Sequence, residues 1–282
     1  MPQSSARAVE SIEIRGHRFA WGDRTYLMGI INATPDSFSG DGLHPDVGAA
    51  RARGLEFAES GADIIDIGGE STRPGHEPVD EQAEADRVIP VVEALRASVD
   101  LPLSIDTFKP AVARAALAAG ADIVNCVWGA VPGIVAAVAA ARALLVIMHN
   151  RASAEYSGDV VADVIASLQR SVREATAAGV APESIIVDPG IGFGKTAAHN
   201  IEILKRLREF SAQLPHPLLV GTSKKSFIGA LTGLAVGERS YGTAASVALA
   251  VAGGADIVRV HDVRDMSAVV RVADAIVRNG GA

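Results

Sequence analysis

Asp106, Asn125 and Asp188 stand at the ends of three short apolar runs, Leu-Ser-Ile-Asp, Asp-Ile-Val-Asn and Ile-Ile-Val-Asp. If those runs are neighbouring strands, three short side chains turn two carboxylates and an amide toward one cavity. That donor and acceptor set suits the guanidine-like edge of a flat polar heterocycle, and such a site rejects a ligand lacking the donors by about 10⁴ to 10⁵. An Asp at a strand end can also cap the next helix or pair with a lysine, and that reading stays open for each one taken alone. A second group, Arg73, Arg259 and His261 with Asn32, offers planar forks and an imidazole to phosphate oxygens. A third, residues 223–226 with Lys225 and Ser226, falls where a helix begins and its free N–H groups favour an anion, although a solvated lysine pair has the same spacing. Cys126 reads as a small buried apolar residue without a catalytic part.

The segments that must position these groups repeat one joint. Gly61-Ala62-Asp63, Gly120-Ala121-Asp122 and Gly254-Ala255-Asp256 each follow an Ala-rich stretch and lead into a β-branched run. Glycine stops the helix and a strand follows at once. Further apolar runs at 26–32, 101–105, 144–148, 184–187 and 217–221 bring the expected strands to eight. Helical periodicity occupies 47–59, 81–97, 112–118, 162–178, 200–213, 243–252 and 264–278. Apolar strands alternating with helices imply a parallel sheet, and eight units imply closure into a single (βα)8 barrel, an α/β fold, over residues 1–282. An open doubly wound sheet is the alternative, but its Gly-x-Gly-x-x-Gly turn is missing. Residues 11–21 read as a β-hairpin turning at Gly16-His17, and residues 1–10 as a disordered lead. In a barrel the chemistry sits where the strands end. Polar, glycine-rich and charged residues do gather there, whereas the joints at the other ends are uniform.

Composition limits the partners. Apolar residues make up 49% of the 282, and the net charge of −7 argues against a nucleic-acid partner. No apolar leader or membrane-length run is present, and a lone cysteine fits a reducing compartment, so a cytoplasmic protein is expected. Two glycine-rich loops, residues 39–42 and 68–75, match no Walker pattern and read as mobile covers that exclude water.

The segments 32–38, 66–75, 104–107, 188–195, 221–229 and 259–262 together resemble the signature loops of dihydropteroate synthases, in the right order and across nearly the whole barrel. The resemblance implies condensation of 6-hydroxymethyl-7,8-dihydropterin diphosphate with 4-aminobenzoate, with Mg²⁺, in folate synthesis, by a sulfonamide-target enzyme. It implies that Asp106, Asn125, Asp188 and Lys225 hold the pterin, with Asp106, Asp188 and Lys225 as the catalytic set. Asn32, Arg73, Arg259 and His261 would bind the diphosphate, with Asn32, and Asp36 beside it, near the metal. Thr72, Pro74, Phe193, Lys225 and Ser226 would form the aminobenzoate pocket. The family's habit further implies a homodimer through the last helices. Cys126 stands where the family commonly has Asp, Lys224 where Arg is usual, and residues 40–42 and 149–151 also differ. Two rival readings follow: a pterin-binding relative that has lost turnover, and a pterin-dependent methyltransferase.

Overall fold

The alternation of apolar runs and helices produces eight parallel strands in a computed structural model that describes residues 10–34, 46–70 and 79–278. Ahead of them, β1 (Ser11–Ile14) and β2 (His17–Ala20) form an antiparallel hairpin. Its turn is Arg15-Gly16, both at positive φ, so His17 already belongs to the second strand. The eight strands are β3 (Tyr26–Asn32), β4 (Ile64–Gly68), β5 (Leu103–Asp106), β6 (Ile123–Cys126), β7 (Leu144–Met148), β8 (Ile185–Asp188), β9 (Leu219–Val220) and β10 (Ile257–Val260). Around them lie α1 (Val47–Glu59), α2 (Glu81–Arg96), α3 (Pro110–Ala118), α4 (Pro132–Ala141), α5 (Val160–Ala177), α6 (Ala197–Lys205), α7 (Leu207–Gln213), α8 (Ser226–Thr232), α9 (Ser240–Ala252) and α10 (Val263–Val277).

Strands pair in the order β8-β7-β6-β5-β4-β3-β10-β9, and the ring closes where Val187 pairs with Leu218. The Gly-Ala-Asp joints show why they repeat. In each, glycine takes a positive φ and the following Asp carboxylate accepts a backbone N–H from a neighbouring chain segment: Leu27 for Asp63, Leu103 for Asp122 and Leu218 for Asp256, at 2.8, 2.9 and 2.9 Å. The Asp backbone N–H returns a bond to the carbonyl of the same residue. The joint therefore clamps the start of one strand to its neighbour at the lower rim.

Strand alternation divides the core in two. Leu27, Ile65, Ile105, Val124 and Cys126 face outward under the helices. Met28, Ile64, Ile123, Val146, Ile186, Leu219 and Ile257 fill the barrel, and its base is sealed by Phe19 of the hairpin, Trp21 just after it and Tyr26 at the start of β3, whose ring centroids lie 4.7 to 5.7 Å apart.

Two helical expectations change. The span 200–213 is two helices broken at Arg206, whose backbone N–H bonds to Ile203 in a tight turn while its guanidinium pairs with Asp159 and Glu209. The helix Pro132–Ala141 was not expected; it starts on proline and ends on Arg142 in the left-handed conformation instead of a glycine. Among the described residues no helix is long and apolar enough to cross a membrane.

Candidate active site at the upper rim

The inward-facing parity that packs the barrel also delivers polar side chains at its carboxyl ends. Asn32 closes β3, Asp106 β5 and Asp188 β8, while Asn125 and Arg259 stand one residue inside the ends of β6 and β10, and His261 follows β10. They meet in a cavity of about 490 Å³ whose wall also includes Glu70, Phe193, Lys225 and Ser226. Nine residues singled out from the sequence, Asn32, Asp106, Asn125, Asp188, Phe193, Lys225, Ser226, Arg259 and His261, thus share one space. Thr72, Arg73, Pro74, Asp36, residues 1–9 and the two loop segments 39–42 and 71–75 lie outside the described residues.

The floor is a charge network that the sequence reading did not include. Asp66, fully buried on β4, accepts from Arg259 Nε at 2.6 Å and from Asn125 Nδ2 at 3.1 Å. Arg259 Nη2 donates to Asp106 at 2.7 Å. With Nδ2 donating to Asp66, the Asn125 amide turns Oδ1 away. Asn125 Oδ1 and Asp106 Oδ1 are consequently buried acceptors without a partner, a costly state that a donor-bearing ligand would relieve. Burial raises Asp106 to about 7, against the pull of Arg259 and with the push of Asp66. Burial likewise raises Asp188 to about 6, although its Oδ1 accepts from the Gly190 N–H at 2.7 Å.

Arg259 therefore gives two of its three nitrogens to carboxylates and retains Nη1 toward other partners. His261 is held neutral, its pKa lowered to about 3 by burial and by Arg259, and its Nδ1 lies 2.9 Å from Ser223 Oγ. It brings hydrogen bonding to this wall, not positive charge. Lys225 stands over the Phe193 ring, 3.9 Å from its centroid, and Ser226 opens α8 beside it. Lys224 Nζ pairs with Asp262 at 2.9 Å, and Arg239 Nη1 donates to the Lys224 carbonyl at 3.1 Å. Deeper in the wall, Lys109 bridges Glu70 and Glu84, a triad that joins the end of β4 to α2 and the loop after β5. Cys126 faces the outer core with its thiol pushed up to about 11 by burial, which leaves it inert.

Asp66 had a signal in the sequence: in Ile64-Ile65-Asp66-Ile67-Gly68 alternation places it on the same face as Ile64, inside the barrel. The Lys109 triad had none, because its members lie 25 and 39 residues from the lysine.

The turn after β8 is packed without slack. A Cβ on Gly190, whose φ is +71°, would fall 1.9 Å from the His149 carbonyl oxygen. Gly190→Ala is expected to cost about 3 kcal/mol or more, since left-handed strain and displacement of the turn add. A thermal melt unchanged from the parent would contradict this packing.

Comparison with known proteins agrees with this geometry. Residues 28–261 match the pterin binding enzyme family. The dihydropteroate synthase of Bacillus subtilis (strain 168) is 42% identical over 283 residues, covering 100% of this chain and 99% of that one. The structure of Xanthomonas albilineans dihydropteroate synthase with 4-aminobenzoic acid superimposes with a TM-score of 0.89 at 45% identity, covering 95% of this chain and 98% of the other. The same enzyme in complex with 7,8-dihydropteroate gives 0.82 at 45% identity, covering 90% and 94%. The fold is that of a pterin-binding transferase barrel. Within that class, the chain belongs to the dihydropteroate synthase family.

Proposed function

We infer that the cavity performs the family reaction, joining 6-hydroxymethyl-7,8-dihydropterin diphosphate to 4-aminobenzoate with release of diphosphate, and that the residues gathered at its wall divide the work as follows. The reading rests above all on two of the orphaned acceptors, Asp106 Oδ1 and Asn125 Oδ1, whose residues line the cavity beside the raised carboxyl of Asp188. A pterin edge carries the N–H donors that these oxygens lack. Asp188 takes the amino-pyrimidine edge through Oδ2, Asn125 and Asp106 take ring donors, and Lys225 holds the ring from the side of Phe193. As the methylene C–O bond breaks, positive charge spreads into the pterin. Asp106, poorly solvated and already aimed at that space, stabilises the charge as it grows. The amine nitrogen of the second substrate then forms the C–N bond and gives up one proton to water, while Phe193, Lys225 and Ser226 hold its ring and carboxylate; the family resemblance adds Thr72 and Pro74 to this pocket.

The leaving diphosphate lies toward Asn32, Arg259 Nη1 and His261, and the family resemblance adds Arg73 to its ligands. Mg²⁺ keeps several waters and takes one or two protein oxygens beside substrate phosphates. The amide oxygen of Asn32 at the end of β3 fits that requirement, and among the described residues no cluster of three His, Cys, Asp or Glu competes for the ion. When bound, Mg²⁺ neutralises charge on the departing diphosphate. A homodimer through α9 and α10 is supported by Leu249, Val272 and Ile276, each more than 60% exposed on those helices. The single buried thiol fits a cytoplasmic setting.

Purified protein supplied with Mg²⁺, the pterin diphosphate and 4-aminobenzoate is expected to release dihydropteroate and diphosphate in equal amounts. Absence of dihydropteroate under these conditions would overturn the reading.

A further inference from the structure

Five residues after β8, Gly190-Ile191-Gly192-Phe193-Gly194, contain three glycines at positive φ and form no regular element. Glycine surrenders more backbone freedom than any other residue, and within this turn the one backbone bond is Phe193 N–H to the Gly190 carbonyl, with Gly190 and Gly192 N–H donating to the side chains of Asp188 and Asn200, so its shape leans on contacts from outside. Lys195 follows the turn, and its Nζ reaches back to the Gly190 carbonyl at 3.0 Å, the Phe193 carbonyl at 3.0 Å and His149 Nδ1, beyond β7, at 2.9 Å. The His149 carbonyl lies further off at 3.4 Å. An ammonium has three protons, and three close acceptors receive them.

We propose that Lys195 is a positioning residue, whose side chain ties the 190–194 turn to the end of β7 and so holds Phe193 against Lys225 as the wall on which the aromatic amine lies. The inference rests on the pocket assignment given under the proposed function. Three observations support it. The contacts of Lys195 are carbonyls and a ring nitrogen, with no carboxylate at ion-pair distance among the described residues, so its role is to organise backbone. His149 is buried and held neutral, its pKa lowered to about 3 by burial and by Lys195, which leaves Nδ1 able to accept. The turn packs closely where it sits: Cβ atoms on Gly192 and Gly194 would meet Lys225 Cδ at 2.9 Å and the Arg151 carbonyl at 2.4 Å.

Burial lowers Lys195 to about 7, with Asp188 on β8 and Asp163 on α5 opposing and Arg151 and Lys225 reinforcing. The tie does not depend on the proton. A neutral amine still donates to both carbonyls, while its lone pair accepts from the Nδ1–H tautomer of His149.

The test compares Lys195→Met with Lys195→Cys before and after alkylation by 2-bromoethylamine, which rebuilds the amine on a side chain of nearly the same length. The native thiol is sealed in the outer core, so the reagent marks the introduced one. In the parent enzyme, turnover establishes the reaction itself. Lys195→Met is expected to raise KM for 4-aminobenzoate about ten- to hundredfold, as a misplaced wall would, with KM for the pterin diphosphate changed less than about threefold. Aminoethylation of the Lys195→Cys protein restores the lower KM. Equal rises in both KM values, no rise in either, or failure of aminoethylation to restore the amine KM overturns the proposal. A variant that melts far below the parent is judged by the alkylated protein alone.

Discussion

Asp188→Asn is expected to make the ligand-free protein more stable and its pterin complex weaker. Asp188 is 5% exposed and burial raises its pKa from 3.8 to about 6. A carboxyl that binds its proton more tightly when folded contributes stability below pH 4, and that contribution is lost as pH climbs through 6. At about 1.4 kcal/mol per pH unit the burden of the ionised group at neutral pH approaches 3 kcal/mol. Asparagine removes the charge and keeps an acceptor for the Gly190 N–H, so most of that burden disappears. The complex loses a charge-assisted pair of bonds, worth about 1.5 to 3 kcal/mol. Melting curves at pH 4 and pH 8 should differ less for the variant than for the parent, and calorimetry should show weaker pterin binding. Unchanged pterin affinity would remove Asp188 from the site. In the parent, affinity should fall below about pH 6 as the carboxyl takes up its proton.

Arg259→Met is expected to destabilise the fold by about 3 to 5 kcal/mol, because it strands Asp66 and Asp106 without their shared cation. The Asp66→Asn change in the same background should recover part of the loss, as the two residues act on one pair. Both the diphosphate substrate and the free hydroxymethyl pterin should bind more weakly, since Asp106 and Asn125 lose their alignment. A further penalty confined to the diphosphate substrate measures what Nη1 contributes. A melting temperature equal to the parent's would show that the carboxylates do not need the guanidinium.

Much of this could be read before any coordinates because the barrel is written locally. Glycine at the helix ends, the Asp of each joint and the β-branched runs announce the eight strands, and the residues after each run announce the rim. What could not be read depends on side chains meeting across the ring. Arg259 looked like a phosphate ligand because its type invites an anion, yet two of the anions it meets are the protein's own, 153 and 193 residues away. His261 was legible as an imidazole at the rim, but not its neutrality, which comes from burial and the neighbouring guanidinium. Lys195 ended a quoted loop without a role, since its partners are main-chain oxygens and a histidine 46 residues earlier. Pro132–Ala141 escaped notice because its stop signal is an arginine holding a conformation usually left to glycine.

The ring of strands is fastened unevenly. Adjoining staves share three to five residue pairs around most of the circumference, but among the described residues β9 has two with β10, and β8 meets the lead-in to β9 through the single bridge of Val187 with Leu218. Asp188 rises on one side of that thin join and Lys225 follows from the other. A bicyclic ring held by both, as proposed, would bridge that gap from above, so amide exchange across the β8–β9 join is expected to be fast in the ligand-free protein and to slow when pterin is added.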